Sequence, residues 1–323
     1  MSEILRGGRI GALRKDVADF TSSIKDDAKL SKAVININKA HVIMLIEQKI
    51  ITQQDGAKLL KALTKHADVK LATTSEDVHM AVEEAITKEL GSEIGGNLHI
   101  AKSRNDQVAT AIRMVLRSSL LSLMLSITQM QESLLATAEK HIKTLILEYT
   151  HLQPAQPVTF AHYLLSYFDM LTRDLQRLTE AYTRVNLSPM GAGALATTSF
   201  PISRERVAEL LGFNGVVENS IDAVGSRDFI LETIAALTLI AVNLSRLSED
   251  LIIWSSPSFG VIELPDEFAS TSSIMPQKKN PDVLEVIRAR ASNVIGDFVA
   301  ATATLKSLPS TYNLDFQEVT PKL

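Results

Sequence analysis

The chain contains no cysteine. That excludes disulfide staples, thiolate nucleophiles and zinc–thiolate centres, and it fits a cytoplasmic setting. Positive charge is not in excess either: 33 Lys and Arg face 37 Asp and Glu, for a net charge of −4. With no basic stripe, nucleic acid is not expected as a partner. No uncharged apolar run, such as 233–245, reaches the roughly 20 residues of a membrane span. These runs read as buried helices. The first nine residues, Met1 to Arg9, lack the apolar core of a secretion signal. Phosphate-loop, dinucleotide, nucleophile-elbow and metal-ligand spacings are also missing, so neither cofactor nor metal is expected. Strand signals are scarce, and neither an internal repeat nor a low-complexity linker is visible.

Helical periodicity is what the chain has in abundance. Between Asn105 and Leu145, Ile112, Leu116, Leu120, Leu123, Ile127, Met130, Leu134 and Ala138 recur at three- and four-residue steps without Pro or Gly. Further long helices are expected from about Pro157 to Val185, Ser226 to Trp254 and Pro281 to Ser307, the last capped by Asn280. The third is apolar almost all round, so it belongs inside a bundle. The fold class expected is all-α. Residues 1–102 form a small N-terminal helical domain and residues 103–323 a central bundle of very long helices. Such helices are hard to cover within one chain, which favours association of several copies.

Five polar segments interrupt this pattern. Ser270–Pro281 packs hydroxyls, two ammonium groups and an amide into a stretch with few helix formers, which is costly to order unless it serves chemistry. Ser103-Arg104-Asn105-Asp106-Gln107 opens the longest helix, where free N–H groups favour an anion. Ser103 and Asp106 suffice to cap it; Arg104 and Asn105 exceed that need. His151 sits with Thr150, Gln153 and two prolines at a helix junction, and is read as functional. His41, His66, His141 and His162 are read as structural. Met190-Gly191-Ala192-Gly193-Ala194-Leu195 reads as a turn between helices that could also touch the substrate. Asn219–Asp228 holds Arg227, free to take a carboxylate or paired with a neighbouring Asp. Together these segments supply Arg104, Arg227, Lys278 and Lys279 for anionic groups. They supply Asn105, Gln153 and Asn280 for orientation, and Ser272, His151 and Glu285 for proton transfer. The sum is acid–base chemistry on a polyanionic small molecule.

Ser272-Ser273-Ile274-Met275-Pro276-Gln277-Lys278-Lys279-Asn280-Pro281 resembles the signature of the fumarase/aspartase superfamily, in the form of its argininosuccinate lyase and delta-crystallin branch. Ser103–Thr110, Thr150–Gln153 with Ala155-Gln156-Pro157, Asp222-Ala223, Arg227-Asp228-Phe229, Trp254–Pro257 and Gly7-Gly8-Arg9 match the same branch, so the similarity spans the chain. The resemblance implies cleavage of argininosuccinate to arginine and fumarate by anti elimination, with no cofactor. It makes Ser272 the general base and Lys278 and Asn280 the stabilisers of the aci-carboxylate intermediate. His151, steered by Glu285, protonates the departing nitrogen. Glu285 could equally pair with Arg288 one turn on. Substrate contacts fall to His79, Ser103, Arg104, Asn105, Thr150, Gln153, Arg227, Ser273, Tyr312 and Gln317. Spacing alone would make His79 structural. The family is homotetrameric, with active sites shared between subunits. Alternatives are a catalytically silent delta-crystallin-like homologue, or a lyase releasing fumarate from adenylosuccinate or malate.

The chain departs from the pattern in places. Thr271 stands where Gly is usual, which suggests a stiffer loop. Ile100-Ala101-Lys102 replaces Thr-Gly-Arg, altering a substrate contact. Leu314, Val319 and Thr320 replace charged residues. Family members continue into a small C-terminal helical domain, which is expected to be missing here.

Overall fold

The structure, a computed structural model, describes residues 13–67 and 75–322; Gly7-Gly8-Arg9 lies outside them. Short helices come first: α1 (Lys15–Thr21), α2 (Ser31–Glu47), α3 (Gln53–Lys65) and α4 (Val78–Gly95), the last broken at Gly91. Then follow α5 (Arg104–Lys140), α6 (Phe160–Val185), the short α7 (Arg204–Leu210) and α8 (Ser220–Gly225), α9 (Asp228–Ser255) and α10 (Asp282–Leu305). At 37 residues, α5 is about 55 Å long. The long helices pack as a series, α5 on α6, α6 on α9 and α9 on α10.

One buried cluster joins Val34, Ile37 and Leu45 of α2 to Ile112 and Leu116 of α5, Leu178 of α6 and Ile230 and Ile234 of α9. The core is therefore continuous across residue 102. Lys102 itself is buried, and its ammonium donates to Asn38 Oδ1 on α2. A second cluster, with Tyr163, Tyr167 and Trp254, closes the far end of the bundle.

Two expectations need correction. The first long helix stops at Lys140, and the second starts only at Phe160, capped by Thr159. Between them lies the one strand pair among the described residues: β1 (Leu145–Thr150) and β2 (Gln153–Thr159), antiparallel. β-Branched and aromatic residues in 145–150 favour the strand. Pro154 and Pro157 are tolerated because each strand of a two-stranded sheet is an edge. Second, Asn280 does not cap α10. Its side chain donates to Ser270 Oγ at 3.4 Å, and Pro281 takes the cap position.

A single chain leaves much apolar surface uncovered. Only Ala291 and Ala301 of α10 are buried, while Val283, Val286, Ile287, Ile295 and Val299 are exposed. Both α5 and α9 contain a stretch long and apolar enough to cross a membrane, yet each packs on other helices of the bundle. Ile230 is fully buried at the centre. Truncation there, Ile230→Ala, is expected to lower unfolding stability by about 2–5 kcal/mol in denaturant titration. A loss under about 1 kcal/mol would contradict this packing.

Candidate active site

The start of α5 is built by a capping box. Ser103 Oγ accepts from Asn105 N–H (3.3 Å), and Asp106 Oδ1 accepts from Ser103 N–H (3.1 Å). Ser103 is thus engaged in holding the helix end. Arg104 and Asn105, one step further, line a cavity of about 220 Å³. Asn105 Nδ2 donates to Ala194 O (3.0 Å), and Arg104 Nη1 lies 2.9 Å from Asp77 Oδ2 and 3.9 Å from Glu76 Oε2. Tyr312 and Gln317 line the same cavity, so four predicted substrate residues meet there. Lys29, donating to Thr320 O at 2.9 Å, ties this last segment to the N-terminal region.

The acidic lining of this cavity was missed by sequence reasoning. Asp26, Asp27, Glu76 and Asp77 all contribute to it, together with Ser23. Asp27 accepts from Ser23 Oγ (2.8 Å) and Val78 N–H (3.3 Å). Burial pushes its pKa up to about 6, with Asp77 and Asp26 adding to the rise against those hydrogen bonds. The available signal was two acidic doublets, Asp26-Asp27 and Glu76-Asp77. Acidic residues at helix starts are ordinary, and Asp77 does cap α4 through Met80 N–H (2.8 Å).

His79 is buried in the first turn of α4, and neither ring nitrogen has a hydrogen-bond partner. Burial lowers its pKa to about 4, aided by the Arg104 and Lys102 charges and opposed by Asp77. Arg227 is buried too. It donates to Val224 O (3.2 Å) and Ser226 O (2.6 Å), and its guanidinium carbon lies 4.3 Å from the centre of the Phe316 ring. Neither the free bidentate donor nor the Asp pair expected of it is present. Its Nε and Nη2 have no partner, and Phe316, stacked on it, lines the Arg104 cavity while Arg227 does not. Lys102 is buried and engaged with Asn38, and it does not line the Arg104 cavity; burial lowers its pKa to about 8. His41, likewise buried, bonds Ile100 O at 2.7 Å.

The signature loop closes on itself. Ser270 and Asn280 bridge through two backbone hydrogen bonds of 3.2 and 2.8 Å. Thr271 Oγ1 donates to Pro276 O (2.8 Å), tying the two limbs of the loop together. Ser272 Oγ accepts from the N–H groups of Ile274 (3.3 Å) and Met275 (3.4 Å). Lys279 anchors the loop, with Nζ 2.9 Å from Glu263 Oε1 and 2.7 Å from Asp266 Oδ1. Ser273 and Lys278 are exposed on the loop, and Glu285 is exposed on the first turns of α10. Arg288 pairs with Glu249 across to α9, not with Glu285.

His151 occupies the hairpin tip. Thr150 pairs with Gln153, so His151 and Leu152 are the whole turn, with φ of 56° and 59°. Left-handed non-glycine residues cost on the order of 1–3 kcal/mol each and concentrate at functional sites. Tyr149 fixes the hairpin edge-to-face on Phe259, ring centres 5.1 Å apart. His151 lines a second cleft with Glu148, Asp250 and Trp254. The Arg104 cavity contains none of Ser272, His151, Lys278 or Glu285.

Residues 11–296 match the protein family described as Lyase. Two relatives described as argininosuccinate lyase extend the match. That of Methanocaldococcus jannaschii is 49% identical over 99% of this chain and 67% of its own length. That of Methanosarcina barkeri is 46% identical over 100% of this chain and 67% of its own. The chain belongs to the argininosuccinate lyase family. A solved EDDS lyase in complex with formate superposes with a TM-score of 0.85 at 33% identity, covering 100% of this chain and 68% of that one. The chain thus spans about two thirds of the length of these family members. The family match agrees with the all-α bundle.

The buried, unpartnered imidazole yields a prediction. With its pKa near 4 instead of the ordinary 6.5, His79 stays neutral in the folded state while the unfolded chain takes up a proton. Its contribution therefore lowers stability as pH falls from 6.5 to about 4. NMR titration should find the ring neutral at pH 5.5. A ring titrating near 6.5 would contradict its burial.

Proposed function

We propose that the chain is an argininosuccinate lyase, a carbon–nitrogen lyase that cleaves argininosuccinate to fumarate and arginine in arginine biosynthesis. The observation that carries this reading is the mixed lining of the Arg104 cavity. Arg104 and Asn105 suit the carboxylates of the succinyl end. Asp26, Asp27, Glu76 and Asp77 suit a guanidinium group, and Tyr312 and Gln317 add polar contacts. The names of the relatives at 46–49% identity agree.

In the elimination, Ser272 Oγ takes the proton from the carbon beside a carboxylate. A serine hydroxyl is a weak base, so its alkoxide needs stabilisation. The N–H groups of Ile274 and Met275 already point at that oxygen, and Lys278 supplies counter-charge. Asn280 and Lys278 hold the aci-carboxylate. The carbon–nitrogen bond then breaks, and His151, steered by Glu285, delivers a proton to the departing nitrogen. Thr150, Gln153 and Ser273 complete the substrate contacts; His79 and Arg227, both buried and outside the Arg104 cavity, would join them only after the site rearranges, and the scheme uses no cofactor.

Arg104, His151 and Ser272 lie in separate parts of one chain, and the cavity is smaller than the roughly 300–1,000 Å³ of ordinary ligand pockets. A homotetramer that shares its sites between subunits would close the gap and cover the exposed apolar faces. We place this assembly in the cytoplasm.

The test is fumarate release from argininosuccinate, followed by absorbance. Ser272→Ala is expected to reduce it by roughly 10²–10⁴-fold. No fumarate from the unaltered protein, or an unchanged rate in Ser272→Ala, would overturn the proposal or the assigned base respectively. Refolding Ser272→Ala together with His151→Asn should restore part of the activity, since some mixed sites receive both intact residues. No recovery above the separate variants contradicts sharing between chains.

A further inference from the structure

Asp106 exceeds what a helix cap needs. Its side chain is fully buried at the start of α5. One oxygen completes the capping box. The other accepts from Gly191 N–H (3.1 Å) and Gly193 N–H (2.8 Å), which lie on a turn more than 80 residues away. Among the described residues no cation forms a salt bridge with it; Lys102, whose charge acts on it, is engaged by Asn38. Three backbone N–H groups thus hold the carboxylate. The turn is shaped to meet it. Gly191 and Gly193 have φ of +85° and +63°, and a Cβ on Gly193 would stand 2.7 Å from Thr197 O. The same turn continues to Ala194, whose carbonyl receives the Asn105 side chain.

We propose that Asp106 is a positioning residue of the substrate site, a carboxylate clasp that fixes Arg104 and Asn105 by holding the Gly191–Gly193 turn against the start of α5. The clasp gives the glycine turn a function that no substrate contact has to supply. It rests on the reading above, in which Arg104 and Asn105 bind the substrate. A neutral amide cannot replace the carboxylate, because its NH₂ would face an N–H group on one side or the other.

The test compares Asp106→Asn, Gly193→Ala and the double variant in the intact protein, by KM and kcat for fumarate release and by thermal unfolding. Each single variant attacks the clasp from one side. Each is expected to raise KM by about tenfold or more while kcat changes far less. Because both break the same contact, the double variant should be no worse than the more severe single one. Unchanged KM in folded variants, or fold-changes in KM that multiply in the double variant, would overturn the proposal. Should Asp106→Asn not fold, Gly193→Ala alone carries the KM prediction. Fumarate binding by calorimetry reads the same clasp without catalysis. Weaker binding to the variants supports it and equal binding overturns it, even if the unaltered protein fails to cleave argininosuccinate.

Discussion

Hydrophobic burial along helices too long for one chain to cover is the constraint on which this structure depends. In a single chain, α10 presents Val283, Val286, Ile287, Ile295 and Val299 to solvent, and α9 presents Leu239 and Val242. Fully burying each such side chain contributes about 1.5–3 kcal/mol. These side chains are already about half covered, so covering the rest gains about half of that each, a sum comparable to the usual net stability of a domain, about 5–15 kcal/mol. The hairpin adds to the demand, since an isolated two-stranded sheet is marginal in water and Leu145, Leu147 and Leu152 are exposed on it. Long helices give the site rigid rails. Their cost is a surface that copies of the chain would have to cover.

That arrangement sets the electrostatics. At Asp27 and His79 burial is the largest influence. Asp27 is pushed up to about 6 in spite of two hydrogen bonds, and His79 down to about 4 in spite of Asp77 beside it. Arg104 is paired with Asp77, so under the proposed function it would exchange that partner for a ligand carboxylate. Such an exchange favours a ligand that also engages the released acid, as a guanidinium group does.

Much of this was legible in the sequence because it is periodic or local. The long helices follow from apolar spacing, and the Ser103–Asp106 box from its three-residue separation. The hairpin was hidden: its turn is His151-Leu152 and not Asn-Gly, and Pro154 and Pro157 argue against strands unless both are known to be edges. The cavity's acidic lining was hidden because Asp77 doubles as a helix cap. Asn280 was misplaced because a plausible local role, capping, lost to its bridge with Ser270. The second oxygen of Asp106 reaches glycines far along the chain, and no local pattern announces that contact.

The most direct measurement is a structure of the assembled protein with fumarate and arginine bound. The account predicts each ligand pair surrounded by Arg104 and Asn105 from one subunit, His151 from another and Ser272 from a third. Ligands enclosed by residues of one chain, with Ser272 and His151 remote from them, would contradict it.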